Sequence, residues 1–204
     1  MRVTHVEILV EEPSTEAALR LIIPKIVAGL SFEVYPHQCK QNLLDRLPER
    51  LRAYAAWLPH DWRIMILVDR DNDPCRQLKQ RLEAAAREVG LKTRTQGQVP
   101  EVQVVNRIAI EELEAWFFGD WDAVRAAYPR VDKAIPGKQG YRDPDAIAGG
   151  TWEALERTLR RAGYFRTGLR KIEAARSIAR YMEPQRNRST SFQKFRDALR
   201  EMAP

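Results

Sequence analysis

The chain has 204 residues, of which 44% are hydrophobic and 30% charged, and its formal net charge is +6. This composition is typical of a globular protein with a core of its own and excludes a disordered or fibrous chain. Two cysteines exclude a disulfide framework and a zinc site, and apolar runs such as residues 64–68 are far too short to span a membrane. Without an export leader at the start, we expect a cytoplasmic protein that does not contact membrane.

Strand and helix patterns alternate with short breaks over the first 110 residues, which predicts a mostly parallel sheet covered by helices. The run RIMILVD at 63–69 is so apolar that we expect a central strand buried on both faces. The predicted strands are 6–10, 32–35, 63–69, 92–95 and 102–110.

Three helices are predicted between these strands from apolar residues at helical spacing. The first opens at Pro13, and the second covers residues 44–58 and bends near Pro48. The third has Pro74 at its first position and Asp73 as its cap, and it ends at Gly90.

From Trp121 onward the sequence predicts only helices and loops. A short helix at 121–128 precedes a long loop over 131–150, and Thr190 with Gln193 forms a predicted capping box. The last three predicted helices are 152–163, 168–182 and 192–202. We therefore expect an α/β domain over residues 1–120 and a helical C-terminal extension over 121–204, packed on it as a single compact unit.

Charge is unevenly divided along the chain. Residues 157–204 carry 13 basic and 4 acidic side chains, or +9, whereas the first 156 residues carry 21 and 24, or −3. An acidic body could hold a metal while a basic tail binds a polyanion. The alternative is a solvated helical face that is rich in arginine.

Acidic residues follow two of the predicted strands. Glu11 and Glu12 close the first strand, and Asp69 and Asp71 close the central one. Ligands of open α/β sheets bind at such carboxyl ends, and residues two apart on an extended chain point the same way. Hard divalent ions take oxygen ligands of this type, so Mg²⁺ or Mn²⁺ is the expected cofactor. The alternative for the aspartates is a role as turn residues and helix caps.

Other carboxylates could complete this site. Glu16 lies in the first helical turn after Glu11 and can point back to the crevice, or it can merely favour the helix N-terminus. Glu111 and Glu114 share a side of their helix, so one of them could join the site. A solvated face is the alternative for at least two of Glu111, Glu112 and Glu114.

The basic tail offers contacts for phosphate. Arg176 and Arg180 lie four apart, off the apolar stripe of their helix, and Lys171 is a candidate for contact with a scissile phosphate. Salt bridges to the acidic body are the alternative for each of them. The other arginines that could line a phosphate track are Arg157, Arg160, Arg161, Arg186 and Arg188.

Two stretches, VEILVEEPSTEAAL and MILVDRDND, together resemble the Toprim domain, whose hallmark is a Glu ending one strand and Asp-x-Asp ending another. The Ser-Thr-Glu at 14–16 resembles the nuclease domains of the OLD (overcoming lysogenisation defect) family. Over nearly its whole length the chain is similar to an uncharacterised bacterial Toprim-like family that is linked to phage defence and ATPase partners. The marks of that family are RIAIEELEAWFFGD, the YRDP loop at 141–144, Lys171 and NRSTSF at 187–192.

The resemblance implies a Toprim-like fold and assigns roles to the acidic residues. Glu11 would be the catalytic acid/base or metal-facing carboxylate, and Asp69 and Asp71 would be metal ligands. Glu16 would contribute to a second metal, and Glu114 would be the extra carboxylate. One departure is Glu12, which stands where the family motif has a Gly that lets the backbone approach a metal or phosphate closely.

The sequence thus predicts a Mg²⁺- or Mn²⁺-dependent phosphodiesterase, a nuclease acting on DNA or RNA, with a place in phage defence implied by the resemblance. A second hypothesis is a non-catalytic or partner-activated effector subunit that works with an ATPase. A small phosphatase is a third, although such enzymes place the working Asp pair after the first strand. These patterns do not determine the oligomeric state, for which a homodimer is one option.

Overall fold

The computed structural model describes residues 3–71, 73–97 and 101–202. Its four strands are β1 (His5–Val10), β2 (Ser31–Pro36), β3 (Trp62–Asp69) and β4 (Val104–Ala109). They form one sheet in the order β2-β1-β3-β4, and every neighbouring pair is parallel. In register, Val10 of β1 lies opposite Leu67 of β3. The predicted α/β class is confirmed, and this parallel order is consistent with a Toprim-like or Rossmann-like sheet.

The strand β3 is buried on both faces, as its apolar run predicts. Met65 and Leu67 belong to one hydrophobic cluster, whereas Ile64, Ile66 and Val68 belong to a second cluster on the opposite face. Because successive side chains of a strand point to opposite faces, this division requires helices on both sides of the sheet.

In the described part of the chain, eight α-helices surround the sheet. They are α1 (Pro13–Ile26), α2 (Lys40–Trp57), α3 (Cys75–Glu88), α4 (Glu114–Gly119), α5 (Trp121–Ala127), α6 (Thr151–Arg161), α7 (Lys171–Ala179) and α8 (Thr190–Met202). Helix α2 continues through Pro48. Three short 3₁₀ turns, at 135–137, 139–141 and 144–146, interrupt the predicted long loop. Nowhere in the described ranges is a helix both long and apolar enough to cross a membrane.

The helices form two layers of different composition. Helices α2 and α3 bury their apolar residues against one face of the sheet. On the other face a single hydrophobic cluster extends from β1 through α1 to the C-terminal helices, and it includes Val6, Ile22, Trp116, Ile178 and Phe195. The C-terminal helices therefore complete a layer of the α/β core, because they share apolar contacts with the strands.

Helices α1 and α7 lie side by side. At one end the ammonium group of Lys25 donates hydrogen bonds to the carbonyls of Ala179, Arg180 and Met182, at 3.2, 2.7 and 2.9 Å. These carbonyls end α7 and lack partners within the helix, so a lysine satisfies them well. At the opposite end Lys171 contacts Glu12. The N-termini of both helices are consequently held at the same end of the sheet.

Two predicted local features are wrong. Residues 92–95 form no named strand, since Thr93 makes only an isolated bridge to Val104. Helix α3 begins at Cys75, and Asp73 does not cap it, because its carboxylate pairs with Lys40.

The predicted capping box of the last helix is also wrong. Ser189, one residue before α8, accepts a hydrogen bond on Oγ from the amide of Phe192 at 3.1 Å. The side-chain amide of Gln193 instead donates to the carbonyl of Asn187 at 2.9 Å. The cap therefore lies one residue earlier than expected, where Ser189 precedes the first helical residue.

Candidate active site

The sheet changes its direction of winding between β1 and β3. The chain leaves β1 into α1 on one face of the sheet, whereas α2 and α3 cover the other face. Loops diverge at such a switch point and leave a crevice outside the carboxyl ends of the strands. Glu11 directly follows β1 and Asp69 ends β3, so both carboxylates lie at this crevice.

Glu11 and Asp69 form a buried pair of carboxyl groups. They are 4% and 8% exposed, and each acts on the pKa of the other. Burial, with a contribution from the charge of Asp71, raises the pKa of Glu11 to about 7. Burial and the charge of Glu11 raise the pKa of Asp69 well above its ordinary value. Without a cation, the pair therefore retains a proton near neutral pH.

A third buried carboxylate is Glu114, the first residue of α4, which is 4% exposed. Burial raises its pKa to about 7, although the charge of Lys171 acts in the opposite direction. Its charge also contributes to the raised pKa of Asp69. The structure thus brings Glu114 to the edge of the pair, as the sequence suggests.

The two neighbouring glutamates have partners of their own, so the expected solvated face is wrong for them. Glu111 forms an ion pair with Arg70. Glu112 accepts hydrogen bonds from the hydroxyl of Thr151 at 3.0 Å and from the amide of Trp152 at 2.8 Å. Glu112 therefore satisfies the N-terminus of α6 and fixes that helix beside the site.

Asp71 lies beyond the strand, in a left-handed conformation with φ 48°. The expectation that Asp69 and Asp71 point the same way on an extended chain is wrong, because β3 ends at Asp69 and Asp71 is not part of the strand. The charge of Asp71 nevertheless raises the pKa of both Glu11 and Asp69. Its side chain is 44% exposed and lies at the mouth of the crevice.

Lys40, the first residue of α2, is a site residue that the sequence analysis missed. Its ammonium group lies 2.5 Å from a carboxylate oxygen of Asp71 and 2.7 Å from one of Asp73. It also donates to the carbonyls of Asp69 and Arg70, at 3.2 and 3.1 Å. Burial lowers the pKa of Lys40, but these carboxylates outweigh burial and raise it overall. No local pattern marks this lysine, because its partners come from another loop.

Lys171 stands on the opposite side of the crevice. Its ammonium group lies 3.4 Å from Glu12 and 5.0 Å from the ring centroid of Trp152. Burial lowers the pKa of Lys171, but the charges of Glu114, Glu12 and Glu112 outweigh burial and raise it. The predicted candidate cation is therefore next to the acidic cluster, where it is bound to Glu12.

Glu12 occupies the motif position where the related family has Gly. Its backbone is extended, with φ −134° and ψ 151°, which any residue adopts. Its carboxylate accepts a hydrogen bond from Ser14 at 3.0 Å and pairs with Lys171. Replacing Gly by Glu therefore adds a counterion for Lys171 without backbone strain.

The structure separates Glu16 from the buried pair and groups it with two of the predicted phosphate ligands. Glu16 accepts a hydrogen bond from Arg20 at 2.9 Å. Together with Arg20, Arg176 and Arg180 it lines a cavity of about 400 Å³ between α1 and α7. Arg176 and Arg180 are exposed, so their guanidinium groups are accessible at this surface.

Two further arginines of the predicted phosphate track differ from each other. Arg186 binds the buried carboxylate of Asp120 through two nitrogens, at 2.7 and 3.1 Å. Asp120 also accepts from the amide of Glu183 at 2.7 Å, so Arg186 stabilises the chain between α7 and α8. Arg188 is exposed, and its backbone amide donates to the carbonyl of Gly119.

The NRSTSF motif at 187–192 has a structural role. Asn187 donates to the carbonyl of Trp116 at 2.8 Å, and the hydroxyl of Ser191 accepts from the indole of Trp116 at 3.0 Å. Asp145, just after the YRDP loop, accepts from the hydroxyls of Ser189 and Ser191, at 2.7 and 3.0 Å. This network joins two of the family marks to α4 and so holds Glu114 in position.

Two observations bear on a metal ion at the crevice. Among the described residues, no three Asp, Glu, His or Cys side chains form a ready-made metal cluster. However, Oε2 of Glu11 is buried and has no hydrogen-bond partner in the described part of the chain. Mg²⁺ commonly takes only one or two protein carboxylates and completes its shell with water and phosphate oxygens. The pair Glu11 and Asp69 therefore fits such an ion by its donor chemistry and its unpartnered oxygen.

Three comparisons place the chain among known proteins. The family model described as "Domain of unknown function (DUF4276)" matches residues 10–200. No curated protein matches the chain. A similar solved structure is the C-terminal region of the OLD protein of Xanthomonas campestris pv. campestris. It shares 20% sequence identity, the alignment covers 96% of this chain and 93% of that chain, and the TM-score is 0.44.

Proposed function

We propose that this chain, which belongs to the DUF4276 family, is a divalent-metal-dependent phosphodiesterase that cleaves nucleic acid. The observation that carries the proposal is the buried pair of Glu11 and Asp69 at the switch point, with an unpartnered carboxylate oxygen. Two lysines, Lys40 and Lys171, flank this pair. Phosphodiester hydrolysis commonly uses carboxylates that bind a hard cation together with ammonium groups that bind the phosphate. The Toprim-like motif formed by the same acidic residues supports the proposal.

Glu11 and Asp69 are the proposed ligands of Mg²⁺ or Mn²⁺, and Asp71 and Glu114 are the carboxylates next to them. When bound, the ion supplies Lewis-acid stabilisation of phosphoryl oxygens and a more acidic water. Because Glu16 is bound to Arg20, we do not include it in this ligand set.

The side chains at the site can also move a proton and offset charge. Glu11 has a pKa of about 7 in the metal-free protein, so where Asp69 alone holds the ion, Glu11 is the carboxylate that can accept a proton from an attacking water near neutral pH. Lys171 is the proposed cation for the scissile phosphate, which would replace Glu12 as its partner. Arg176 lies on the same helix as Lys171, and Arg180 directly follows that helix; both are the proposed contacts for adjoining phosphates.

The test is a cleavage assay on plasmid, single-stranded DNA and structured RNA with Mg²⁺, Mn²⁺ or EDTA. We expect cleavage only with a divalent ion, and a loss of about 100-fold or more in Glu11→Gln and in Asp69→Asn. Asp73→Asn is the matched control, because Asp73 also pairs with Lys40 but takes no part in the buried pair. Cleavage in EDTA, or full activity in Asp69→Asn, would refute the proposal.

One observation favours a second candidate, a subunit that acts only with a partner such as an ATPase. Both lysines of the crevice are bound to carboxylates, Lys40 to Asp71 and Lys171 to Glu12. In this candidate function, the ion pairs keep the lysines from binding phosphate until a partner separates them. Any role in phage defence then depends on that partner. Calorimetric titration with Mn²⁺ distinguishes the candidates, because an absence of binding to the isolated chain favours the second.

A further inference from the structure

A groove runs along β4, which is an edge strand of the sheet. It has a volume of about 500 Å³ and lies between the start of α3, β4 and α8. Four basic side chains line it: Lys79 from α3, Arg94, Arg107 from β4 and Lys194 from α8. An adjoining cavity of about 570 Å³ on α3 shares Lys79 and adds Arg76 and Arg87.

Acidic side chains in the groove are already paired. Glu201 binds Arg94, and Asp197 binds Arg196 at 2.9 Å. In the adjoining cavity Glu83 is buried and accepts hydrogen bonds from the hydroxyl of Thr95 and the amide of Asn106, at 2.6 and 2.8 Å. These donors are neutral, so Glu83 keeps its charge and acts on Lys79 through space. Basic side chains nevertheless outnumber acidic ones in the linings of the two cavities, by six to three.

The hydrogen-bond partners of Arg107 indicate that the groove can accept an anion. Its guanidinium donates only to neutral carbonyls, those of Lys194 and Asn106, both at 3.0 Å. Within the described ranges no carboxylate forms an ion pair with it. Burial and the nearby charge of Arg94 lower the pKa of Arg107 to about 10. The charges of Glu83 and Asp197 act in the opposite direction but do not outweigh burial, so an anion bound in the groove would stabilise the charged guanidinium further.

The groove begins at the same edge of the sheet as the candidate active site. Cys75 and Ile110 line one end of it. Cys75 opens α3 shortly after Asp71, and Ile110 precedes Glu111, whose carboxylate binds Arg70. The basic side chains then extend along β4 and α3, instead of converging on one point. Charges spread along a line match successive phosphates of a polymer better than a single phosphate ion.

We propose that this groove, lined by Lys79, Arg107 and Lys194, binds the phosphodiester backbone of the nucleic acid substrate outside the acidic crevice. The inference rests on the proposed function and extends the path of its substrate to the β4 side of the site. Such contacts do not depend on the nucleotide sequence, because they involve phosphates and not base edges. Basic residues from three separate elements form the groove, which explains why the C-terminal charge bias did not reveal it.

The test compares two double variants of equal charge. Lys79→Gln with Lys194→Gln removes two exposed groove lysines. Arg52→Gln with Arg125→Gln removes two exposed arginines from α2 and α5, outside the groove. Binding of a fluorescein-labelled DNA duplex and of a labelled single-stranded RNA is measured by anisotropy in EDTA, over a series of salt concentrations. For at least one of the two probes, the groove variant is expected to bind more weakly, with a salt slope of log K smaller by about 2.

Hydrolysis of bis(p-nitrophenyl) phosphate separates this inference from the proposed function. That diester is too small to occupy the groove, so both double variants are expected to hydrolyse it as fast as the wild type. If the groove variant binds both probes with wild-type affinity and slope, or if the wild type binds neither probe, the groove inference is overturned. If binding depends on the groove but the wild type hydrolyses no diester with Mg²⁺ or Mn²⁺, the proposed function fails and the groove stands as a binding site.

Discussion

Glu11 and Asp69 lie at the adjacent carboxyl ends of β1 and β3, where each acts on the pKa of the other, and Oε2 of Glu11 has no hydrogen-bond partner among the described residues. Two carboxyl groups in this position repel each other when both are ionised. The parallel sheet brings them together, because it aligns the ends of two strands that are distant in the sequence. Their protonation therefore links the chemistry of the site to the stability of the fold.

We expect the metal-free protein to lose stability as pH rises through the range of this pair. The pKa of Glu11 in the folded protein is about 7 and its ordinary value is 4.5, so the folded state binds the proton more tightly. This stabilisation is complete below pH 4.5 and is lost as pH rises through about 7. The measurement is the melting temperature in EDTA as a function of pH. Asp69→Asn removes one of the two carboxyl groups whose pKa is raised, so a variant with the same pH dependence as the wild type would contradict this account.

Lys40 is expected to compete with a metal ion for the carboxylates of the crevice. In Lys40→Gln, Asp71 loses the ammonium group that lies 2.5 Å from it, so the site becomes more negative. We therefore expect calorimetry to show tighter Mn²⁺ binding than in the wild type. Lys138→Gln is the control, because it removes a similar ion pair, with Asp132, on an exposed loop. Equal Mn²⁺ affinity in all three proteins would show that Lys40 does not influence the ion.

Gly119 ends α4 where the backbone meets the 187–192 motif. A Cβ at this position would lie 2.1 Å from Oδ1 of Asn187 and 2.9 Å from the amide nitrogen of Ser189. We expect Gly119→Ala to lower the free energy of unfolding by about 1–3 kcal/mol, because the packed network must move apart. Gly137→Ala is the control, since its Cβ would have no neighbour within 4 Å. Urea denaturation measures both, and equal midpoints would refute the tight contact.

We expect Arg186 to contribute to the stability of the fold, and Arg176 and Arg180 to contribute to nucleic acid binding. Arg186→Ala leaves the buried carboxylate of Asp120 without its ionic partner, so the free energy of unfolding should fall by about 1–3 kcal/mol. Arg176→Gln with Arg180→Gln changes only exposed side chains and should leave that free energy nearly unchanged while nucleic acid binding weakens. Thermal melts and anisotropy are measured on each. The reverse pattern would mean that Arg186 contacts the ligand.

The layout of the α/β body could be predicted from the sequence, because burial is encoded locally. The apolar run at 63–69 predicts a strand buried on both faces, and the structure places its side chains in two clusters. The carboxylates after β1 and β3 were predicted to meet for a topological reason, since parallel strands end at the same edge. Residues 92–95 have a strand pattern, but in the structure they form only one isolated bridge, between Thr93 and Val104. A local pattern therefore does not predict whether a segment pairs with a neighbouring strand.

Periodicity and strand order in the sequence suffice to predict the α/β class, the parallel sheet and the strand ends that carry Glu11 and Asp69. They do not predict which charged side chains meet in the folded protein. Lys40 pairs with Asp71 across separate loops, Glu16 turns away to Arg20, and Arg186 is bound to Asp120. An ion pair depends on the distance between side chains of remote segments, and no local sequence pattern contains that distance. Packing of those segments sets the distances, and with them the pKa values and the accessible charges of the site.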